Sequence, residues 1–252
     1  MARGYAHIWD PHADLTGSTH SPAKLRRVRT NLLCLTLLLS GCAAGALPAV
    51  RHEPAAGSTV AMVKGASITV YRSERGEAQR TITSPNDYGA ARVFLVERDE
   101  GAWLRVLLPV RPNGSTGWIR RADVTLAVTP YRVEIDRKAF RFTVFDGARA
   151  VRTGKVATGE AGTPTPPGRY FFTELVKPAD PGGDYGAYAF GLSGFSPVLK
   201  RFAGGPGQLA VHGTNRPSAI GTRASHGCVR VGNDDITWMA KNLAIGTPVV
   251  VS

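Results

Sequence analysis

His212-Gly213-Thr214 and, ten residues further on, Ser225-His226-Gly227-Cys228-Val229-Arg230 are the stretches on which the reading of this chain turns. A nucleophilic cysteine works as its thiolate. A nearby histidine can take the proton, and a third group then orients the ring. Two histidines are available. His226 stands two residues from Cys228; on a strand the two side chains share a face, on a turn they need not. His212 ends the strand-like run Gln208–Val211 and reaches Cys228 only through folding. Spacing leaves that choice open. Gly227 permits a tight backbone turn, so amide N–H groups beside Cys228 can point at a developing oxyanion.

Outward from this centre the pattern is β. Tyr131–Ile135, Phe140–Phe145, Val151–Thr158 and Arg169–Thr173 have strand composition, with Asp146-Gly147 as a turn and Thr163-Pro164-Thr165-Pro166-Pro167-Gly168 as a rigid loop. One helix is signalled. Asn233 can cap it, Asp234 and Asp235 suit its first turn, Ile236, Met239, Ala240 and Leu243 keep helical spacing, and Gly246 stops it. Pro248–Val251 reads as a closing strand.

The pair of motifs resembles the signature of the L,D-transpeptidase catalytic domain. The Thr-Pro-Thr-Pro-Pro-Gly loop and the stretch from Tyr185-Gly186-Ala187-Tyr188 to Gly191-Leu192-Ser193-Gly194 are similar to that family too. The resemblance covers residues 128–252 and implies a β-sandwich with one helix near its end. It implies Cys228 as nucleophile, His212 as base, the Gly213 carbonyl as the group that orients His212, and His226 and Gly227 as parts of the site. Arg230, Tyr185, Tyr188 and Ser225 are the expected substrate-binding residues, and residues between Pro178 and Phe202 correspond to a variable lid. Many family members have Asn where this chain has Arg230. The implied reaction transfers an acyl group from one peptidoglycan stem peptide to an amine, through a thioester, with no metal or organic cofactor.

Upstream, Thr59–Val63, Ile68–Tyr71, Arg92–Glu97 and Trp103–Leu107 are short strand-like runs, followed by Pro112-Asn113-Gly114 and Gly117-Trp118-Ile119. Many short strands and few helix signals argue for a small barrel. Residues 58–127 resemble a bacterial Src-homology-3-like domain, and Val128-Thr129-Pro130 reads as a linker. The whole is thus expected to be mainly β: a small barrel, then a catalytic sandwich.

The N-terminus reads as an address. Lys24, Arg26, Arg27 and Arg29 precede an apolar stretch, Leu32–Leu39, too short to span a bilayer, which takes about 20 residues. Leu39-Ser40-Gly41-Cys42 resembles a lipobox, which implies a signal over residues 1–41, lipid on Cys42, a tether over 42–57 and a protein anchored to a membrane in the cell envelope. With Cys34 removed and Cys42 lipidated, Cys228 is the sole remaining thiol, and an unpaired cysteine in an oxidising compartment points to a reactive role.

Charge narrows the partners. Residues 42–252 carry 26 basic and 17 acidic side chains, an excess that favours anionic polymers or lipid headgroups. No Lys/Arg run is interleaved with aromatics, which argues against nucleic acid. Zinc on His212, His226 and Cys228 is disfavoured, because three or four ligands are usual and no further well-spaced Cys or His is at hand. A papain-like wall amidase places Cys before its His, the reverse of His212 and Cys228. A wall-binding lipoprotein with a vestigial centre is the remaining rival, against which the intact Cys-His pair speaks.

Overall fold

The computed structural model describes residues 57–252, which fall within one compact unit. The calls on the signal, the lipobox at Cys42 and nearly all of the tether lie outside the described residues.

The N-terminal sheet has seven strands: β1 (Ser58–Val63), β2 (Ser67–Tyr71), β3 (Ala78–Thr83), β4 (Val93–Glu100), β5 (Trp103–Leu107), β6 (Thr116–Arg120) and β7 (Val124–Thr129), in the order β3-β2-β6-β5-β4-β1-β7. Every pairing is antiparallel. Alternating residues such as Ile68 and Val70, or Leu104 and Val106, turn inward on a core that includes Phe94 and Ile119. Two elements escaped the sequence reading. The strand β3 is polar and almost wholly exposed, as suits an edge. The supposed linker is mostly strand: Val128 and Thr129 close β7 by pairing with Thr59 and Ser58.

The C-terminal part contains β8 (Tyr131–Asp136), β9 (Arg141–Asp146), β10 (Arg149–Gly159), β11 (Gly168–Val176), β12 (Ala189–Phe195), β13 (Gln208–His212), β14 (Arg223–Ser225), β15 (Val229–Val231), α1 (Asn233–Asn242) and β16 (Pro248–Val251). Its nine strands run β14-β10-β15-β13-β12-β11-β16-β8-β9, and β9 pairs back to β10. Two long strands make this closure by serving two sheets. Residues 149–155 of β10 pair with β9, whereas Val156 and Ala157 pair with β15. Likewise β11 pairs with β16 up to Phe171, then with β12 from Phe172. The result is the expected β-sandwich, its two faces enclosing Phe142, Tyr170, Phe172, Phe190 and Leu192. Phe172 and Phe190 stack with ring centroids 4.2 Å apart. The helix buries Ile236, Met239 and Ala240 in the same core. Its cap is Gly232, without a side-chain bond, and not Asn233. The segment assigned to the lid contains the buried strand β12, which its three-residue glycine spacing had disguised.

The two sheets share an apolar seam. Phe171, fully buried, packs with Val60, Val93, Leu95 and Leu107. Polar ties flank it. The Asn113 side chain donates to the Phe195 carbonyl and accepts from the Phe195 amide, both at 2.8 Å, as a strand would. Arg111 donates to the carbonyls of Ser196, Leu199 and Pro206 and lies over the Phe195 ring.

Candidate functional site

Strand alternation builds the site. On β13, Leu209 and Val211 point into the sandwich core with Val229 and Val231 of the parallel neighbour β15. The opposite face therefore carries Gln208, Ala210 and His212, beside Arg230, which is His212's register partner. Cys228 enters that face just ahead of β15, level with Ala210, whose amide bonds to its sulfur. His212 and Cys228 are thus diagonal neighbours across two paired strands, a separation of about 7–8 Å that longer side chains bridge.

The turn carrying Cys228 is held rigidly. Gly227 has φ +119°, a conformation that favours glycine. The Ser225 hydroxyl donates to the Cys228 carbonyl and accepts from the Gly227 amide. Thr165 donates to the Gly227 carbonyl at 2.8 Å and accepts from the Gly159 amide at 2.9 Å. The proline-flanked loop is the cradle of this turn, a job its composition did not reveal. Ser225 is buried and spends its hydroxyl inside the turn, so it supports the site rather than facing a ligand.

His212 is buried, and its Nδ1 lies 2.7 Å from the Gly213 carbonyl. A carbonyl only accepts, so Nδ1 carries the hydrogen and Nε2 is left with a free lone pair. Burial pushes the imidazole down to about 4; the Gly213 bond opposes this and the Arg230 charge adds to it. Burial also pushes the half-buried Cys228 thiol up, against the Ala210 amide and the Arg230 charge. Neutral imidazole and neutral thiol are the resting partners, in contrast to the thiolate–imidazolium pair that a Cys-His motif suggests.

Arg230 is buried, and neither Nε nor Nη1 meets an acceptor among the described residues. A desolvated guanidinium without partners costs several kcal/mol on the order seen for buried ions. The Tyr185 ring stands over His212, centroids 4.9 Å apart. His226 is exposed on the turn, off the face that holds His212, with the Phe202 ring 5.3 Å away. Tyr188 is not brought to Cys228: its ring packs on the sandwich core, and its carbonyl accepts the Gly213 amide.

Sequence reasoning missed Asn233 as a clamp. Its Oδ1 accepts from the amides of Ala187 and Thr214, and its Nδ2 donates to the Thr214 carbonyl at 3.0 Å. The start of α1 thereby fixes both the Tyr185 loop and the backbone after His212. A Cβ on Gly186 or Gly213 would lie 2.2 Å from that Oδ1, so both glycines belong to the clamp. No cluster of His, Cys, Asp and Glu among the described residues has the geometry of a metal site.

A family model for the YkuD L,D-transpeptidase catalytic domain matches residues 130–251. The YkuD protein of Bacillus licheniformis, named for the same activity, is 32% identical over 190 residues, spanning 73% of this chain and 98% of that protein. The chain belongs to the L,D-transpeptidase family. The YkuD protein of Bacillus subtilis is similar to this L,D-transpeptidase at 32% identity over 123 residues, 49% of this chain and 66% of the relative. A solved L,D-transpeptidase from Mycobacterium smegmatis aligns at 17% identity and a TM-score of 0.41, covering 64% of this chain and 90% of the other.

Proposed function

We propose that this L,D-transpeptidase works by cysteine chemistry on peptidoglycan stems, with Cys228 as nucleophile and His212 as base. The observation that carries the reading is the shared strand face: Cys228 beside the Ala210 amide, and His212 diagonal to it with Nε2 free. Nε2 takes the thiol proton as sulfur attacks the carbonyl preceding the terminal D-alanine. The tetrahedral intermediate collapses, the C–N bond breaks, and the proton passes to the departing amine of D-alanine. A thioester remains. A stem amine then displaces sulfur, forming the cross-link and returning the proton to Cys228. The Cys228 amide, beyond the engaged Gly227 amide, is the donor we assign to the oxyanion. The two unmatched N–H groups of Arg230 fit a donor-stem carboxylate. Tyr185 covers this pocket, and exposed His226 borders it.

The deciding measurement is mass spectrometry. Wild-type protein with a carbapenem-type β-lactam should gain an adduct on Cys228, and with tetrapeptide stems should release D-alanine; Cys228→Ala should do neither. An adduct that survives Cys228→Ala would overturn the nucleophile. Water as acceptor gives carboxypeptidase action and a protein amine gives wall anchoring, and muropeptide products separate these outcomes. We further propose that Cys42 is lipidated, tying the enzyme to a membrane of the cell envelope. Cys42→Ala should move the protein from the detergent phase to the aqueous phase in a phase-partition assay.

A further inference from the structure

A cleft of about 450 Å³, its open mouth included, lies between the two sheets. Asn86, Asp87, Tyr88 and Arg92 line one wall, all from the segment that joins β3 to β4; Glu174 and Gln208 belong to the other. The segment is shaped and anchored by one residue. Asn86 Oδ1 accepts the amides of Tyr88 and Ala90, while its Nδ2 donates to Glu174 at 2.8 Å. Glu174 is 3% exposed and takes a second bond, from Gln208 Nε2 at 2.9 Å.

The cleft leads to the nucleophile. Gln208, Ala210 and His212 succeed one another on one face of β13, so the floor runs from Gln208 past Cys228 to His212 over about 13–14 Å. Tyr88, half exposed, stands where burial and then the charges of Glu174, Asp87 and Cys228 push its phenol up. Tyr185, on the His212 side, feels Cys228 and Tyr88 in the same way. Cys228 therefore has two approaches. The Arg230 and Tyr185 side is cationic and suits a carboxylate. The Tyr88 side presents the exposed carboxylate of Asp87 and, beside it, the guanidinium of Arg92.

We propose that this inter-sheet cleft seats the acyl acceptor, recognising an amino-acid head group whose ammonium faces Asp87 and whose carboxylate faces Arg92. The N-terminal sheet then supplies one wall of the transfer site. A diamino acid at its free end carries both groups on one carbon, whereas a simple alkylamine lacks the carboxylate. The seated ammonium gives one proton to solvent. The neutral nitrogen attacks the thioester carbonyl, the C–S bond breaks, and the nitrogen's surplus proton returns to sulfur through His212. Amide and thiol are the products.

This assignment rests on the thioester reading above. The test therefore measures acylation and transfer separately on the full chain. Acylation is followed by D-alanine release from a tetrapeptide donor, transfer by product formation with diaminopimelate or 1,5-diaminopentane as acceptor. Asp87→Asn should raise KM for both acceptors about tenfold, with the acylation rate within about twofold. Arg92→Gln should raise KM for diaminopimelate alone, and Arg92→Lys should recover part of it. Circular dichroism checks that each variant is folded. Unchanged KM values with intact acylation would overturn the cleft assignment and leave the nucleophile standing. An equal rise for both acceptors in Arg92→Gln would overturn the carboxylate contact. Failure of the wild-type protein to acylate would remove the thioester reading and this proposal with it.

Discussion

His212 meets two demands that pull against each other: burial that fixes its ring, and a basicity sufficient to accept a proton. Its folded value near 4 lies below the ordinary 6.5. The folded state thus binds fewer protons than the unfolded state between those values, and stability rises with pH across that window. Above about pH 6.5 the contribution is fully present; as pH falls toward 4 about 3 kcal/mol is lost. His212→Gln should flatten this acid limb in urea titrations at pH 4–7, and an unaltered limb would move the titrating group elsewhere. The same burial raises the Cys228 thiol. Alkylation of Cys228 in the free enzyme should therefore keep rising beyond pH 9, and a plateau below pH 7 would mean a preformed ion pair. His212→Ala should slow alkylation near neutrality, with partial recovery at high pH, where hydroxide replaces the base.

At the scale of elements, the site depends on a helix start that caps nothing. Asn233 takes up two amides and a carbonyl from segments that otherwise end in open loops. Asn233→Ala leaves these groups to water or unpaired, at about 1–3 kcal/mol. It should lower the melting temperature and slow acylation together, because the Tyr185 loop and the His212–Thr214 backbone lose a common anchor. Asn233→Asp, which keeps the acceptor and loses the donor, should fall between. Equal acylation rates in wild type and Asn233→Ala would show that the clamp is irrelevant to the chemistry.

For the whole molecule, the seam around Phe171 decides how far the catalytic half stands alone. All motif residues lie in 128–252, which from sequence suggests a separable catalyst. Phe171 lies on β11, where the strand passes from one face of the sandwich to the other, and its ring is covered by Val60, Leu95 and their neighbours. Phe171→Ala should cost about 3–5 kcal/mol. A fragment of residues 128–252 should melt well below the full chain, which should unfold in one transition. Two resolved transitions in calorimetry of the full chain would contradict a shared seam.

Some of this was settled by the chain alone. Alternating apolar residues in short runs dictate strands, because a period of two buries one face only. The glycine in Ser-His-Gly-Cys permits the turn that presents Cys228, and the helix is legible in Ile236, Met239 and Ala240. What local pattern could not give is the pairing of distant strands. Which histidine shares a face with Cys228 depends on β13 lying parallel to β15, a contact between segments separated by a loop. The strand β12 was hidden by its glycines, and Asn233 was read as a cap because helix starts favour Asn, although its partners are tertiary. Tyr88 and Asn86 lie over a hundred residues from Cys228, and they border its cleft because Phe171 and Glu174 bind the two sheets together. Local sequence fixes which backbone shapes are cheap; burial of one sheet's side chains against the other fixes which residues meet.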